Sequence, residues 1–277
     1  MNFVTKRTVE WFICFLLLGL VFTSASAAPS AEHWPLWEAH QSSNKKVIDH
    51  SAWRDFLAHY LVTETDSGIN LLRYAKVTAA DRTKLAQYLI HLQNVPINEF
   101  SRPVQKAFWI NLYNALTVQT ILQNYPLESI RDIKSGWFSA GPWDLKLARI
   151  SGEELSLNDV EHRILRPIWR DNRVHYAVNC ASLGCPNLQP EPFTAENSER
   201  LLDQAAHDFI NSPRGAHFSG SRLILSSIYD WFQSDFGDSE QGVLSHLEKF
   251  ATPELADRLR RNQGSIAYDY DWTLNGG

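Results

Sequence analysis

The sequence predicts an α+β protein that is rich in helices around a small antiparallel sheet. Helical character is clearest in residues 103–124, with Pro103 suited to a first turn and Pro126 closing the segment. Short runs of β-branched and aromatic residues, such as 174–178 and 266–272, are typical of strands. The chain has 277 residues, 44% of them hydrophobic, which is enough for a large core.

The first 28 residues have the layout of a secretory signal. Lys6 and Arg7 form a positive n-region, residues 11–22 form an apolar core, and residues 25–27 are a small-residue cleavage motif. The apolar run is shorter than the roughly 20 residues of a transmembrane helix. We therefore expect cleavage after this motif and a secreted or periplasmic protein with no stable membrane span. An uncleaved membrane anchor is the alternative.

The mature chain, residues 29–277, is predicted to be a single domain with an N-terminal helical arm over about residues 29–65. In the arm, Trp53, Phe56 and Leu57 recur at helical spacing. No repeat, low-complexity tract or long linker divides the rest. The net charge of −5 and the absence of a basic tract argue against a nucleic-acid partner.

Two amides interrupt the apolar side of the predicted helix 103–124. At 100° per residue, Asn111 and Asn114 fall among apolar side chains. A buried amide must find hydrogen-bond partners or it costs free energy. These two residues are therefore candidate binding residues that line a site, or they tie down a neighbouring loop.

A carboxylate interrupts the apolar face of the next predicted helix. Ser156 is suited to cap this helix, which we expect to run from Leu157 to about Arg166 and to end at Pro167. Glu161 projects from the middle of its apolar face and must be paired if it is buried. It either forms a salt bridge with a nearby arginine or accepts a hydrogen bond from an imidazole and fixes its tautomer.

The run 174–178 is predicted to be a buried strand and is followed by two cysteines. An imidazole such as His175 can take a proton from a thiol, which gives a nucleophilic thiolate at Cys180 or Cys185. In an ideal strand, positions 175 and 180 point to opposite faces, because five is an odd step. The two side chains can meet only if the backbone bends near Asn179.

The C-terminal third reads as alternating helices and strands. Capping residues, glycines and prolines bound the elements. The predicted helices are 196–211, 242–250 and 253–261, and the predicted strands are 222–225 and 266–272.

Four phrases of the sequence, in order, resemble one family. They are residues 108–115, 174–182, 225–232 with 235–237, and 270–275. Their order and spacing are similar to the family of unknown function numbered 547. This resemblance implies the architecture of papain-like cysteine peptidases in a rearranged order. It also implies a catalytic set of Glu161, His175 and Cys180, and it favours Cys180 over Cys185 as the nucleophile.

The leading functional hypothesis is an exported thiol-dependent acyl-transfer enzyme without a cofactor. A Cys-His-carboxylate set suits acyl transfer through a thioester. A small peptide or γ-glutamyl amide is a plausible substrate class, and hydrolysis and transfer both remain open.

Two other hypotheses use the same cysteines differently. His162, His175, Cys180 and Cys185 could ligate zinc, although no recognised zinc spacing occurs and we expect no metal. In a non-catalytic envelope binding module, a disulfide would join the two cysteines, and Trp137 and Trp143 would contact the ligand.

Overall fold

A computed structural model of the protein describes residues 29–134, 136 and 140–277. Helices account for most of the regular structure. The α-helices are α1 (Ser51–Tyr60), α2 (Ala79–Gln93), α3 (Arg102–Asn124), α4 (Arg166–Trp169), α5 (Ser198–Ile210), α6 (Ile228–Trp231), α7 (Glu240–Phe250) and α8 (Pro253–Arg260). Short 3-10 turns include Asn172–Tyr176 and Gln233–Phe236, and a π-helical segment, Asp159–Leu165, leads directly into α4.

The strands are short and form three small sheets among the described residues. They are β1 (Leu61–Val62), β2 (Leu71–Leu72), β3 (Ala148–Ile150), β4 (Glu153–Leu155), β5 (Ala216–Ser219), β6 (Arg222–Ser226) and β7 (Ile266–Asp269). The largest sheet has the order β5-β6-β7. The predicted helix-rich α+β class is therefore confirmed.

The largest sheet is mixed rather than antiparallel. Strands β5 and β6 are antiparallel, with Ala216 opposite Leu225. Strand β7 pairs with β6 in parallel, with Leu223 opposite Ile266. The chain between β6 and β7 contains α6, α7 and α8. A helical crossover of this kind returns the chain in the same direction, which makes the parallel pairing possible.

Helix α3 is the buried centre of the fold, as its sequence pattern predicts. It begins after Ser101 with Pro103 in its first turn. Its side chains are buried without a break from Val104 to Val118. The polar side chains of a helix that is buried on all sides must find hydrogen-bond partners inside the protein. Asn111 and Asn114 therefore need such partners.

The predicted strand at 174–178 is wrong, because this segment forms a 3-10 turn, Asn172–Tyr176. The Asp171 side chain accepts a hydrogen bond from the Arg173 N–H and starts the turn. The Val174 carbonyl accepts from the N–H groups of Ala177 (2.9 Å) and Val178 (3.1 Å). Hydrogen bonds within the turn thus replace the cross-strand hydrogen bonds of the predicted strand. A short buried run of apolar residues does not by itself distinguish a strand from a 3-10 turn.

The helix that carries Glu161 begins near Leu157, as predicted, but it does not end at Pro167. Its π-helical register joins the Arg166 N–H to the Glu161 carbonyl. Pro167 removes one N–H from the helix ladder. The carbonyls of His162 and Arg163 accept instead from the N-terminal arm, through the N–H groups of Glu32 (2.9 Å) and Trp34 (3.2 Å).

The buried side chains form two clusters that meet beside the 3-10 turn Asn172–Tyr176. The larger cluster surrounds α3 and includes Val174 and Ala177. The smaller cluster lies between α5, β6 and α7 and includes Tyr176. The segment that leads to Cys180 is therefore anchored in both clusters, so its position relative to the surrounding helices is fixed by packing.

Two predictions fall outside the described residues, namely the signal segment 1–28 and the contact role of Trp137. Within the described ranges, no helix has the length and apolar character needed to cross a bilayer. The expected extent of a single domain over residues 29–277 stays a prediction.

Candidate functional site

Glu161 and His175 lie together in the interior, beside a second carboxylate. His175 Nδ1 is 3.6 Å from Glu161 Oε1, and His175 Nε2 is 2.7 Å from Asp235 Oδ2. The side chains of His175 and Glu161 are only 2% and 8% exposed. The imidazole is therefore held between two carboxylates. The nearby arginines do not form the alternative salt bridge to Glu161.

Arg166 completes this cluster from the start of α4. Its Nε and Nη2 bind the two carboxylate oxygens of Asp235 at 2.5 and 3.1 Å, and its Nη1 lies 3.0 Å from His162 Nδ1. The Phe232 ring stacks on His175 with centroids 4.4 Å apart and also lies 4.9 Å from the Arg166 guanidinium carbon. Two carboxylates thus face one guanidinium and one imidazole in a largely enclosed space.

The pairing sets the protonation states of the cluster. Burial disfavours ionisation of His175, but its bonds to Asp235 and Glu161 outweigh this and raise the pKa of the imidazole. Burial opposes ionisation of Glu161, but the cationic surroundings from His162, His175 and Arg166 lower its pKa to about 2. Burial likewise opposes ionisation of Asp235, and His175 and Arg166 hold its pKa well below the ordinary value. Both carboxylates are therefore ionised at neutral pH.

Cys180 lies in a different polar environment. Its Sγ is 3.2 Å from Ser182 Oγ and 3.0 Å from Tyr270 Oη, and its backbone N–H donates to Cys185 Sγ at 3.0 Å. The Cys180 side chain is half-buried, whereas Cys185 is buried. Both thiols are free.

The two thiols differ in acidity. Hydrogen bonding from Cys185, and then from Ser182 and Tyr270, outweighs burial and lowers the pKa of the Cys180 thiol. Burial raises the pKa of the Cys185 thiol well above its ordinary value. A thiolate is the nucleophilic form of cysteine, so the environment favours Cys180 over Cys185 as a reactive sulfur.

The backbone bends after Asn179, as the sequence reasoning required. Asn179 Oδ1 accepts from the Ala181 N–H at 2.8 Å, and Ala181 has a left-handed φ of 60°. A non-glycine residue in this region stores backbone strain and is typical of functional turns. No helix begins at Cys180, so the lowered pKa of its thiol comes from side chains and not from a helix dipole.

Despite this bend, the structure does not bring Cys180 to His175. Both ring nitrogens of His175 face carboxylates, and the Cys180 thiol bonds to the hydroxyl groups of Ser182 and Tyr270. Asp235 occupies the ring nitrogen Nε2 of His175. The described arrangement therefore has no hydrogen bond between Cys180 and His175, although the Glu161 charge still acts on the Cys180 thiol and opposes its ionisation.

Asn111 and Asn114 are both engaged with loop backbone. Asn111 Nδ2 donates to the Phe193 carbonyl at 2.7 Å and Oδ1 accepts from its N–H at 3.0 Å. Asn114 Nδ2 donates to the Ala177 carbonyl at 2.9 Å and Oδ1 accepts from the Asn179 N–H at 2.8 Å. Asn114 therefore fixes the backbone just before Cys180. Contact of either amide with a ligand stays a prediction.

The far edge of the Cys180 turn is bound by the C-terminal segment. The N–H groups of Leu183 and Gly184 donate to the carbonyls of Thr273 (2.7 Å) and Asp271 (2.8 Å). A Cβ at Gly184 would lie 2.7 Å from the Asp271 backbone nitrogen, so only glycine permits this approach. These contacts hold Tyr270 against the thiol of Cys180.

Sequence reasoning missed Asp235, Arg166 and Tyr270 as members of the site. Asp235 and Tyr270 both lie in phrases that carry the family resemblance, which was the available signal. Their partners, however, are 60 and 90 positions away in the chain. Among the described residues, no group of three or more His, Cys, Asp or Glu side chains could hold a metal ion.

Replacing Tyr270 with Phe is expected to raise the pKa of the Cys180 thiol, because a hydrogen bond to its charged form is lost. The pH dependence of Cys180 alkylation, followed by mass spectrometry, measures this shift. Tyr268→Phe is a matched control, because the Tyr268 hydroxyl has no hydrogen-bond partner in the structure. An equal shift in both variants, or none in Tyr270→Phe, would contradict the assignment.

Comparison with known proteins links this region to one family. Residues 97–210 match the model of a family described as a protein of unknown function, DUF547. The match spans α3, Glu161, His175 and Cys180, and it stops before Asp235 and Tyr270. Neither the curated proteins nor the solved structures gave a match. The resemblance expected from the sequence is thus confirmed over these residues: the chain resembles DUF547, a family whose function is unknown.

Proposed function

We propose that the protein is an exported thiol-dependent enzyme that transfers the acyl group of an amide, with Cys180 as its nucleophile. The observation that carries this proposal is the environment of the Cys180 thiol. The residue is half-buried, its sulfur lies within 3.2 Å of two hydroxyl groups, from Ser182 and Tyr270, and the pKa of the thiol is lowered. A lowered thiol pKa beside hydrogen-bond donors favours the thiolate that thioester chemistry requires.

In the proposed reaction, the Cys180 thiolate attacks the carbonyl carbon of an amide. A bond forms between Sγ and this carbon, and after collapse of the tetrahedral intermediate the C–N bond breaks and the amine leaves with a proton. Water or a second amine then attacks the thioester carbon and loses a proton, the C–S bond breaks, and the acyl group leaves as a carboxylic acid or a new amide while Cys180 returns to the thiolate. The Tyr270 hydroxyl keeps its proton, since burial raises its pKa, and it can therefore donate to negative charge that develops near the sulfur.

We assign proton transfer in this reaction to His175, with Glu161 on Nδ1 fixing the ring. This role requires His175 Nε2 to leave Asp235 and turn toward the substrate, so the described arrangement is a resting state in the proposal. The support is the Glu161–His175 contact at 3.6 Å and the raised pKa of the imidazole, which keeps a proton available for the leaving amine. Papain-like architecture is part of the same proposal.

The proposal that the protein is exported is supported by the signal-like sequence of residues 1–28. We expect protein recovered from the cell envelope to begin at Ala28 or Pro29, which N-terminal sequencing would measure. Recovery of the intact N-terminus in the membrane fraction would indicate an uncleaved anchor instead.

Alkylation of the mature protein tests the nucleophile. We expect Cys180 to react at least about tenfold faster than Cys185 at pH 7, because only Cys180 is both accessible and acidic. Cys185→Ala should keep this labelling, although its pH midpoint should rise because a hydrogen-bond donor is lost. Cys180→Ala should lose it.

Two other outcomes would overturn the proposal. Thiols that resist labelling until they are reduced would indicate a Cys180–Cys185 disulfide and favour the non-catalytic binding module. Labelling of Cys180 with an ordinary thiol pKa would show that its neighbours do not activate it.

A further inference from the structure

A cavity of about 700 Å³ is lined in part by Tyr270. Tyr270 connects this cavity with the thiol, because its hydroxyl is 3.0 Å from Cys180 Sγ. The volume is in the range of small-molecule sites. A group bound in this cavity would therefore share Tyr270 as a neighbour with the proposed nucleophile.

Four aromatic residues are among those that line this cavity. Tyr74 and Tyr125 stack on one side, with centroids 6.1 Å apart and planes at 27°. Tyr270 and Trp272 lie on another side, with centroids 4.6 Å apart. The faces of such rings carry negative partial charge and attract cations. The Trp272 ring already accepts one, since the Arg131 guanidinium carbon lies 5.2 Å from its centroid, and Arg131 is not among the residues that line the cavity.

The charged side chains that line the cavity are all acidic, namely Glu128, Asp132 and Asp271. Asp132 Oδ2 accepts from the N–H groups of Glu128 (3.2 Å) and Ser129 (2.9 Å), so it is used by the local turn. Asp271 Oδ1 accepts from the Thr273 N–H at 2.9 Å. The Glu128 side chain is exposed and forms no hydrogen bond or ion pair with another described residue. Its carboxylate is therefore available to a ligand.

We infer that this cavity binds a primary ammonium group and that the amide substrates of Cys180 carry such a group in a lysine-like side chain. Aromatic walls with a carboxylate at the rim form an environment in which a cation gains both ring attraction and ion pairing. A neutral alkyl chain of the same length would gain only the burial of its methylene groups. The link to the substrate rests on the proposed function, whereas binding of the cation does not.

Calorimetric titration with Nα-acetyl-lysine amide, whose side-chain ammonium is free, tests this inference. Nα-acetyl-norleucine amide is its neutral counterpart. We expect the lysine compound to bind about tenfold more tightly. Raising the salt concentration should weaken lysine binding and leave norleucine binding unchanged. Equal affinity for the two compounds would overturn the inference.

Variants of the cavity make the test specific. Glu128→Gln and Tyr125→Leu should each weaken lysine binding roughly fivefold, because each removes one attraction for the cation. Both side chains are partly or fully exposed, so these variants should fold. Glu254→Gln is a matched control, since this exposed carboxylate lies outside the cavity lining. Wild-type affinity in both cavity variants would also overturn the inference.

Cys180→Ser separates this inference from the proposed function. If Cys180→Ser still binds the lysine compound and the wild-type Cys180 thiol proves unreactive, the cation site is supported and the proposed enzyme is contradicted. If the wild-type thiol is reactive but the protein does not prefer the lysine compound, the enzyme is supported and the cation site is contradicted.

Discussion

Replacing Arg166 with Met is expected to lower the free energy of unfolding by roughly 3–5 kcal/mol, the usual cost of removing one partner from a buried ion pair. The Arg166 side chain is 3% exposed, and it binds both oxygens of Asp235. Without it, Glu161 and Asp235 would lose their guanidinium partner in a site where their side chains are only 8% and 21% exposed. Urea denaturation at pH 7 measures the loss.

A double variant shows whether the loss comes from charge. In Arg166→Met/Asp235→Asn, the remaining Glu161 and His175 charges balance. We therefore expect the double variant to lose about 1–3 kcal/mol less unfolding free energy than the two single variants lose in sum. Arg149→Met is the surface control, because Arg149 and its partner Glu154 are 63% and 56% exposed, and it should change stability by less than about 1 kcal/mol. Additive losses in the double variant would show that Arg166 acts through packing alone.

Acidification is expected to remove roughly 3 kcal/mol of stability through Glu161 alone. The folded protein lowers the pKa of this carboxyl from 4.5 to about 2. A group with a lowered pKa stabilises the folded state above its unfolded value, and the contribution is lost as the pH falls from about 4.5 to about 2. His175 has the opposite sign: its raised pKa adds stability at low pH, which is lost as the pH rises through the folded value.

Urea denaturation at a series of pH values, in wild type and Glu161→Gln, isolates this contribution. The wild type should be the more stable protein at pH 6, and the difference should shrink toward pH 2, where about half of Glu161 is protonated. The exposed control Glu254→Gln should follow the wild-type profile. A difference between wild type and Glu161→Gln that is the same at every pH would show that the Glu161 charge makes no contribution.

The elements with strong local signals were predictable from the sequence. Helix α3 follows directly from its apolar pattern between Pro103 and Pro126. The position of Glu161 on an apolar face correctly indicated a buried carboxylate that needs a partner, because burying such a charge alone is too costly. The choice between an arginine and an imidazole as that partner stayed open in the sequence. In both cases, the apolar pattern of the neighbouring residues within one helix is enough to predict which side chains are buried.

The rest depended on contacts that the sequence does not encode locally. Residues 174–178 are buried and contain two valines and a tyrosine, which suits a strand, but the Asp171 side chain starts a 3-10 turn here. His175 bonds to Asp235, which lies 60 positions away in the chain, and not to the expected thiol. The chemical character of each residue could be predicted from the sequence. Which of several possible partners each residue contacts could be seen only in the folded structure.

The contact between Tyr270 and Cys180 has a consequence for how the protein is made. Tyr270 follows Cys180 by 90 positions, so a growing polypeptide contains the cysteine long before the hydroxyl group that acidifies it. Until β7 joins its sheet and the segment after it closes over the Cys180 turn, the sulfur lacks the part of its lowered pKa that Tyr270 contributes beside Cys185 and Ser182. A chain still in synthesis would thus carry a less acidic Cys180 thiol, and the remaining acidity would come when the C-terminal segment folds against this turn.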